Sequence, residues 1–214
     1  MRSQMSLPST RLLTGLAWGN AALHGVGLVL ALVGMRPGSS LVPLPERMAY
    51  LAGRPAGWTW GWGVWMLCSL LLLGYVAALR RHLPDRSIAA DLAFVLTAAG
   101  MGVDLLCDVL QIRGLPLAAG SGSEPLFLSL ESLAFTGGAT VANGLYTAAV
   151  LILTLELRGR IGTAAQFAGL ATAVFGSAMA VAGLIPSPNL LEVATGPTIG
   201  FYSLWTILVA RDLR

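Results

Sequence analysis

The sequence predicts an all-α integral membrane protein: one helical bundle over residues 1–214, with six transmembrane helices and both termini in the cytoplasm. Composition is the first reason. Hydrophobic residues make up 56% of the chain and charged residues 11%, with mean hydropathy +0.75, where a soluble domain carries roughly 25% charged residues. The second is length, because the chain divides into apolar runs of about the ~20 residues that a helix needs to cross hydrocarbon. The third is arginine placement. Arg2, Arg11, Arg80, Arg81, Arg86, Arg158, Arg160, Arg211 and Arg214 fall to one side of such a bundle, against Arg36, Arg47, Arg54 and Arg113 on the other. Basic loops stay cytoplasmic, which agrees with an even number of spans and a multipass protein of a cell membrane, of the bacterial inner-membrane type.

Span 1 covers about Leu12 to Met35, preceded by a short polar stretch with no small-residue cleavage site, so it reads as an uncleaved first span. Gly15 and Gly19 offer a small-residue pair for close helix contact. Asn20 and His24 lie one turn apart on one face near mid-bilayer, where a polar side chain either bonds a neighbouring helix or belongs to a site. Next comes a proline-rich loop, within which Pro45 to Ala52 suits a short interfacial helix.

Span 2, about Gly57 to Leu79, opens with four of the six tryptophans, at positions 58, 60, 62 and 65. Their position suits an aromatic belt at the membrane boundary. The alternative is an aromatic wall of Trp58, Trp62 and Trp65 for a flat or cationic ligand.

Span 3, about Ile88 to Leu110, carries the most informative stretch. Thr97, Gly100, Asp104, Asp108 and Gln111 follow steps of three and four, so they share one helix face. A carboxylate in hydrocarbon costs several kcal/mol unless partnered, so this face must turn inward. Asp91 lies on a different side, near the helix N-terminus, where a carboxylate offsets the helix dipole. At 1.5 Å per residue Asp104 stands about 24 Å above Ile88, and Asp108 near the outer boundary. His24, about 18 Å up span 1 by the same rise, is the titratable base placed to partner it.

Arg113 to Pro125 reads as a Gly/Ser/Pro linker, and Leu126 to Leu157 is longer than one span requires. A break is expected near Gly137-Gly138, with Leu126–Phe135, including Glu131, outside the bilayer or re-entering it. Thr136, Thr140, Asn143 and Thr147 form a second polar stripe. Span 5, about Ile161 to Ile185, places Gly169, Ala173, Gly176 and Ala180 on one smooth face that suits another helix or a homodimer contact. Span 6, about Leu190 to Ala210, carries a third stripe of Thr195, Thr198, Tyr202 and Thr206.

These residues define a polar cavity with candidates Asp104, Asp108, His24, Asn20, Asn143, Glu131 and Gln111. It would open to the outside through a charged vestibule of Arg36, Arg47, Arg54, Arg113, Asn189 and Glu192, with Asp104 at its floor. Asp104 and Asp108, one turn apart, are the residues that would ligate a divalent cation. All 13 basic residues are Arg, which excludes retinal or pyridoxal bound as a lysine Schiff base. Haem is disfavoured because His82 lies in a loop far from His24. Net charge +3 is explained by orientation in the lipid bilayer and calls for no nucleic-acid partner. Cys68 and Cys107 fall inside apolar runs and form no Cys-x-x-Cys pair, so they read as buried thiols.

Gly100-x-x-x-Asp104-x-x-x-Asp108 resembles the second half of the motif of the CDP-alcohol phosphotransferases. The first half is missing: Leu83 and Arg86 stand where that family has two Asp, Ser87 where it has Gly, and Asp91 where it has Arg, with Ala90 alone in register. From about residue 126 to 214, the layout is Asn/Thr helix, Arg158-Gly159-Arg160, Gly/Ala-rich helix, Leu190-Leu191-Glu192, Phe201-Tyr202-Ser203-Leu204-Trp205 and a basic tail. That layout is similar to small multipass bacterial membrane proteins sharing a domain of unknown function, a likeness that implies a fold and no activity.

Three functions fit. One is binding or transport of a small molecule or ion. A second is an intramembrane enzyme on a lipophilic substrate, with Asp104 or Asp108 as acid, base or metal ligand. A third is a non-catalytic membrane-complex subunit whose polar stripes hold helices together.

Overall fold

A computed structural model describes residues 7–84, 87–185 and 187–214. Arg2 and Arg86, which entered the charge argument above, lie outside the described residues. The described residues are mainly helical, and among them six helical stretches are long and apolar enough to cross a membrane: Thr10–Gly38, Ala56–Arg80, Ile88–Gly120, Glu124–Glu156, Thr163–Leu184 and Pro188–Asp212. In finer terms these are α1 (Leu7–Leu30), the short α2 (Leu44–Ala52), α3 (Ala56–Arg80), α4 (Ile88–Val109), α5 (Leu115–Gly120), α6 (Glu124–Phe135), α7 (Asn143–Glu156), α8 (Thr163–Leu184) and α9 (Pro188–Asp212).

Each span packs on its neighbour in the chain, α1 on α3, α3 on α4, α4 on α7, α7 on α8 and α8 on α9, and α9 returns to α1. The spans therefore close into a ring. Its two ends differ. At the end carrying Arg80, Arg81, Arg158, Arg160 and Arg211, called here the basic end, the ring is filled by apolar side chains. Leu13, Leu79, Leu153, Leu157, Trp205 and Val209, all buried, belong to one cluster. Tyr75 joins them, edge-on to Trp205, and ties α3 to α9 through its hydroxyl, which donates to the Thr206 carbonyl at 3.1 Å. Loops at this end are tied as well: Arg160 donates to the His82 carbonyl at 2.7 Å, and the Gly162 amide to Asp212 at 2.8 Å. Ser87 caps α4, its side chain accepting from the Ala90 amide, and Asp91 in the first turn, as expected at this helix N-terminus, pairs with Arg80.

At the other end α2 lies against α5, and a second apolar cluster of Met48, Leu51, Trp58, Leu115 and Phe127 forms beneath it. This cap is held by charge. Arg47 donates to Glu131 of α6 at 2.6 Å and to the Val42 carbonyl at 3.0 Å, with its guanidinium 5.7 Å from the Phe127 ring centre.

Two expected boundaries change. The stretch expected to be a linker after Gln111 continues as helix to Gly120, because Pro116 sits in the first turn of α5, where its missing N–H costs nothing. Nor does the chain break at Gly137-Gly138. Instead the helix widens into a π segment, Thr136–Ala142, inside a continuous stretch of 33 residues. Two further π segments interrupt span 1 at Ala31–Met35 and span 3 at Leu110–Gly114.

A π turn holds an extra residue and leaves a carbonyl without its usual i+4 partner. In each segment one carbonyl accepts a side-chain hydrogen bond: from the Tyr50 hydroxyl to Gly34 at 2.5 Å, from Trp58 Nε1 to Gln111 at 2.7 Å, and from Asn143 Nδ2 to Gly138 at 2.8 Å. Burial pushes the Tyr50 hydroxyl above its ordinary phenol range, so it keeps the proton it donates.

The α7–α8 contact is a seam of threonine into glycine. Thr140, Thr147 and Thr154 recur every seven residues, and a methyl group added at Gly183, Gly176 or Gly169 would overlap them in turn. The two heptads run antiparallel in one register, so each threonine fills the hole over one glycine. The Gly169/Ala173/Gly176/Ala180 face, expected to be available to a second copy, is thus taken up by α7 within the chain. The Gly15/Gly19 pair divides similarly: a Cβ at Gly19 would touch Leu71 at 3.5 Å, whereas Gly15 faces open space.

Candidate functional site

Between the basic-end plug and the α2 cap the ring encloses a cavity of about 550 Å³. It is lined by α1, α3, the α4 and α6–α7 stretches, α8 and α9, with residues of all three π segments on its wall, among them Met35, Gln111 and Gly138. A cavity of this size lies within the ~300–1,000 Å³ typical of small-molecule sites.

The acidic stripe of α4 does face inward. Thr97 and Gly100 are buried below the cavity, Asp104 is the deepest α4 residue on its wall, and Asp108 and Gln111 follow above. Asp104 lies at the middle of the 33-residue stretch Ile88–Gly120, with Asp108 one turn further towards Gly120.

Asp104 accepts a hydrogen bond from the Tyr146 hydroxyl of α7 at 3.3 Å. Tyr146 reaches it because residue 100 is glycine, where any Cβ would meet the Tyr146 ring at 2.8 Å. Tyr146, and not His24, is therefore the partner in hydrogen-bond contact with Asp104. Sequence reasoning had a signal for it, since Gly100 on the acidic face marks a close approach. Asp108 is 1% exposed, and its Oδ2 finds no hydrogen-bond partner among the described residues. Gln111 Oε1, 9% exposed, is likewise unpartnered there.

His24 lines the cavity from α1. Its Nδ1 lies 2.9 Å from the Asn20 carbonyl. A carbonyl can only accept, so Nδ1 carries the proton and Nε2 is the acceptor. The ring packs against Trp65 and Tyr202 at centroid distances of 5.9 and 5.2 Å.

Asn20, placed by sequence with the cavity, lies outside its lining. It is fully buried, donating to the Leu16 and Leu71 carbonyls at 3.1 and 2.9 Å and accepting from Tyr202 at 3.4 Å. It joins α1, α3 and α9 beneath the site. Glu131 reaches the cavity wall but is engaged with Arg47. Asn143 lines the wall while closing its π turn.

The tryptophan cluster divides by helix phase. Trp60 is 72% exposed on the outer surface, as a belt residue would be, while Trp58, Trp62 and Trp65 turn inward and line the cavity. Trp65 sits over Gly27, whose Cβ would lie 3.0 Å from the indole. Trp58 stacks edge-on with Trp62 at 5.7 Å and is committed to the Gln111 carbonyl.

Of the expected vestibule, Arg36 and Glu192 line the cavity; Arg54 and Arg113 border a separate shallow cleft, and Asn189 lies outside both. The hydroxyls of Thr195, Thr198 and Thr206 bond back to carbonyls of α9 itself.

For metals, Asp104 and Asp108 supply two carboxylates. No group of three or more His, Cys, Asp or Glu side chains that could hold a metal ion occurs among the described residues. Both cysteines are free and buried, and both lie on the cavity wall.

No family model matches the chain, and no curated protein or solved structure is similar to it. The likeness to small multipass bacterial proteins over residues 126–214 therefore rests on layout.

Proposed function

We propose that this is an integral membrane protein of the cell membrane, with both termini cytoplasmic, that binds or transports a small molecule or ion in the central cavity, entered from the outer side. The observation that carries the reading is the contrast between the ends of the ring. The basic end is plugged by Tyr75, Trp205 and their apolar neighbours, while the other half holds about 550 Å³ lined by carboxylates, a histidine and three indoles. Helices joined for assembly alone would bring their polar stripes into contact, as α7 and α8 do. Arginine distribution supports a cytoplasmic plugged end, so the cavity, lined at its other end by the turn at residues 36–41 and by Glu192, is entered from outside in this reading.

Cysteine labelling tests this. In a Cys68→Ala/Cys107→Ala background, Thr195→Cys marks the α9 wall of the cavity and Thr172→Cys its deep end. A membrane-impermeant methanethiosulfonate reagent should modify Thr195→Cys quickly and Thr172→Cys more slowly in right-side-out vesicles, and neither in inside-out vesicles. Labelling from the inside-out vesicles alone would reverse the orientation. Protection of both positions on both sides would mean a closed bundle and favour the subunit reading.

A further inference from the structure

Resting on the ligand-binding reading, we propose that the cavity selects a small amphipathic organic cation: a protonated amine on a flat apolar body, its ammonium held by Asp108 and Gln111. Four observations converge. Asp108 Oδ2 and Gln111 Oε1 line the same cavity from consecutive turns, both residues more than nine-tenths buried and both oxygens without a partner among the described residues. The Gln111 amide oxygen and Asp108 as its carboxylate both accept, so the complementary group donates at least twice and carries a positive charge, as an ammonium with three N–H groups does.

No cation among the described residues neutralises Asp108. Arg36 reaches the cavity wall but forms no ion pair there, the sequence has no lysine, and Arg47, the buried arginine of the cap, is committed to Glu131 and the Val42 carbonyl. The wall beside the carboxylates carries the indoles of Trp62 and Trp65, whose faces attract cations and flat apolar surfaces alike. Finally, a divalent metal asks for six or more oxygen ligands, and the two aspartates have no third acidic, His or Cys side chain grouped with them among the described residues. An amine needs no such shell.

The test is calorimetric titration of the full chain in nanodiscs of zwitterionic lipid, with empty nanodiscs subtracted. Three probes share one shape: 2-naphthylmethylamine, 2-naphthylmethanol and 2-naphthoate. The amine is expected to bind at least about tenfold more tightly than the alcohol, the value of one charge-assisted hydrogen bond of about 1.4 kcal/mol, and the carboxylate weakest. Asp108→Asn and Gln111→Leu should each erase the preference for amine over alcohol while leaving the melting temperature of the empty protein unchanged. Trp62→Leu, as a second line, should weaken amine and alcohol together.

Equal binding of alcohol and amine would overturn the cation proposal and leave the cavity reading standing. So would calcium or magnesium binding that Asp108→Asn abolishes, with the amine silent. If none of the probes binds, the proposal falls, and the cavity reading is then judged by the cysteine labelling alone.

Discussion

Along the α7–α8 seam each threonine meets a glycine, whereas across the α3–α4 wall carboxylates, an amide and indoles meet open space. Both regions come from the same kind of sequence, a polar residue every three or four positions in an apolar run. What separates them is the residue opposite. Gly169, Gly176 and Gly183 let α8 approach until Thr154, Thr147 and Thr140 are enclosed, and Thr140 donates across the seam to the Ala180 carbonyl at 2.9 Å. Opposite Asp108 there is no such receiving surface, and its Oδ2 is left without a partner among the described residues. A polar stripe is thus glue or site according to what faces it, and one helix alone does not say which.

The sharpest way to break the comparison is to fill the seam. Gly176→Leu drives a side chain into Thr147, and overpacking of this kind should cost about 3 kcal/mol, enough to prevent a purified, monodisperse protein. Gly102→Ala, where a Cβ meets nothing within 4 Å, is the control and should stabilise the fold by about 0.5 kcal/mol, read as a slightly raised melting temperature. If Gly176→Leu were as stable as the parent, the seam would not be the close contact described.

Next in size is Asn20→Leu. It removes two donated bonds and leaves the Leu71 carbonyl and Tyr202 hydroxyl buried, which should cost about 2 kcal/mol in a thermal melt. A larger loss from Asp108→Asn than from Asn20→Leu would invert the assignment of glue and site.

The smallest of the expected losses is that of Tyr50→Phe, about 1 kcal/mol from one hydrogen bond to a π-segment carbonyl. Its pH dependence has a definite sign. With the folded-state value raised by burial, the stabilisation is complete below the ordinary phenol value of about 10 and fades as pH rises through the folded value. The parent should therefore lose more stability than Tyr50→Phe in alkaline melts.

Much of this arrangement was legible in the sequence. Hydropathy and length located the six spans, and the steps of three and four from Thr97 to Gln111 identified the inward face of α4, because cost in hydrocarbon leaves carboxylates nowhere else to go. The inward placement of Trp58, Trp62 and Trp65 was the alternative to the aromatic belt that their position first suggests, and Trp60, out of phase with them, keeps the belt's outward direction. Other features were beyond the reach of a single-helix argument. Asn20 and His24 are one turn apart yet do different work, since Leu71 and Tyr202 on other helices claim Asn20. Tyr146, the partner of Asp104, lies on a helix whose polar stripe was read through Asn143 and Thr147, three positions before it and one after. The seam likewise needed both registers at once.

The π segments bear on how the helices are to be read as lattices. Each adds one residue to a turn, so each acts as a phase dislocation: side chains beyond it are rotated by about 100° relative to an unbroken helix. Spans 1, 3 and 4 carry one each, at Ala31–Met35, Leu110–Gly114 and Thr136–Ala142. A helical wheel drawn through Asp104 therefore misassigns the faces of everything past Gly114, and one drawn through Thr147 misassigns Glu131. The two halves of the ring consequently obey independent packing registers. Deleting a single residue, such as Gly138, would bring the halves of its helix back into phase and swing Glu131 away from Arg47.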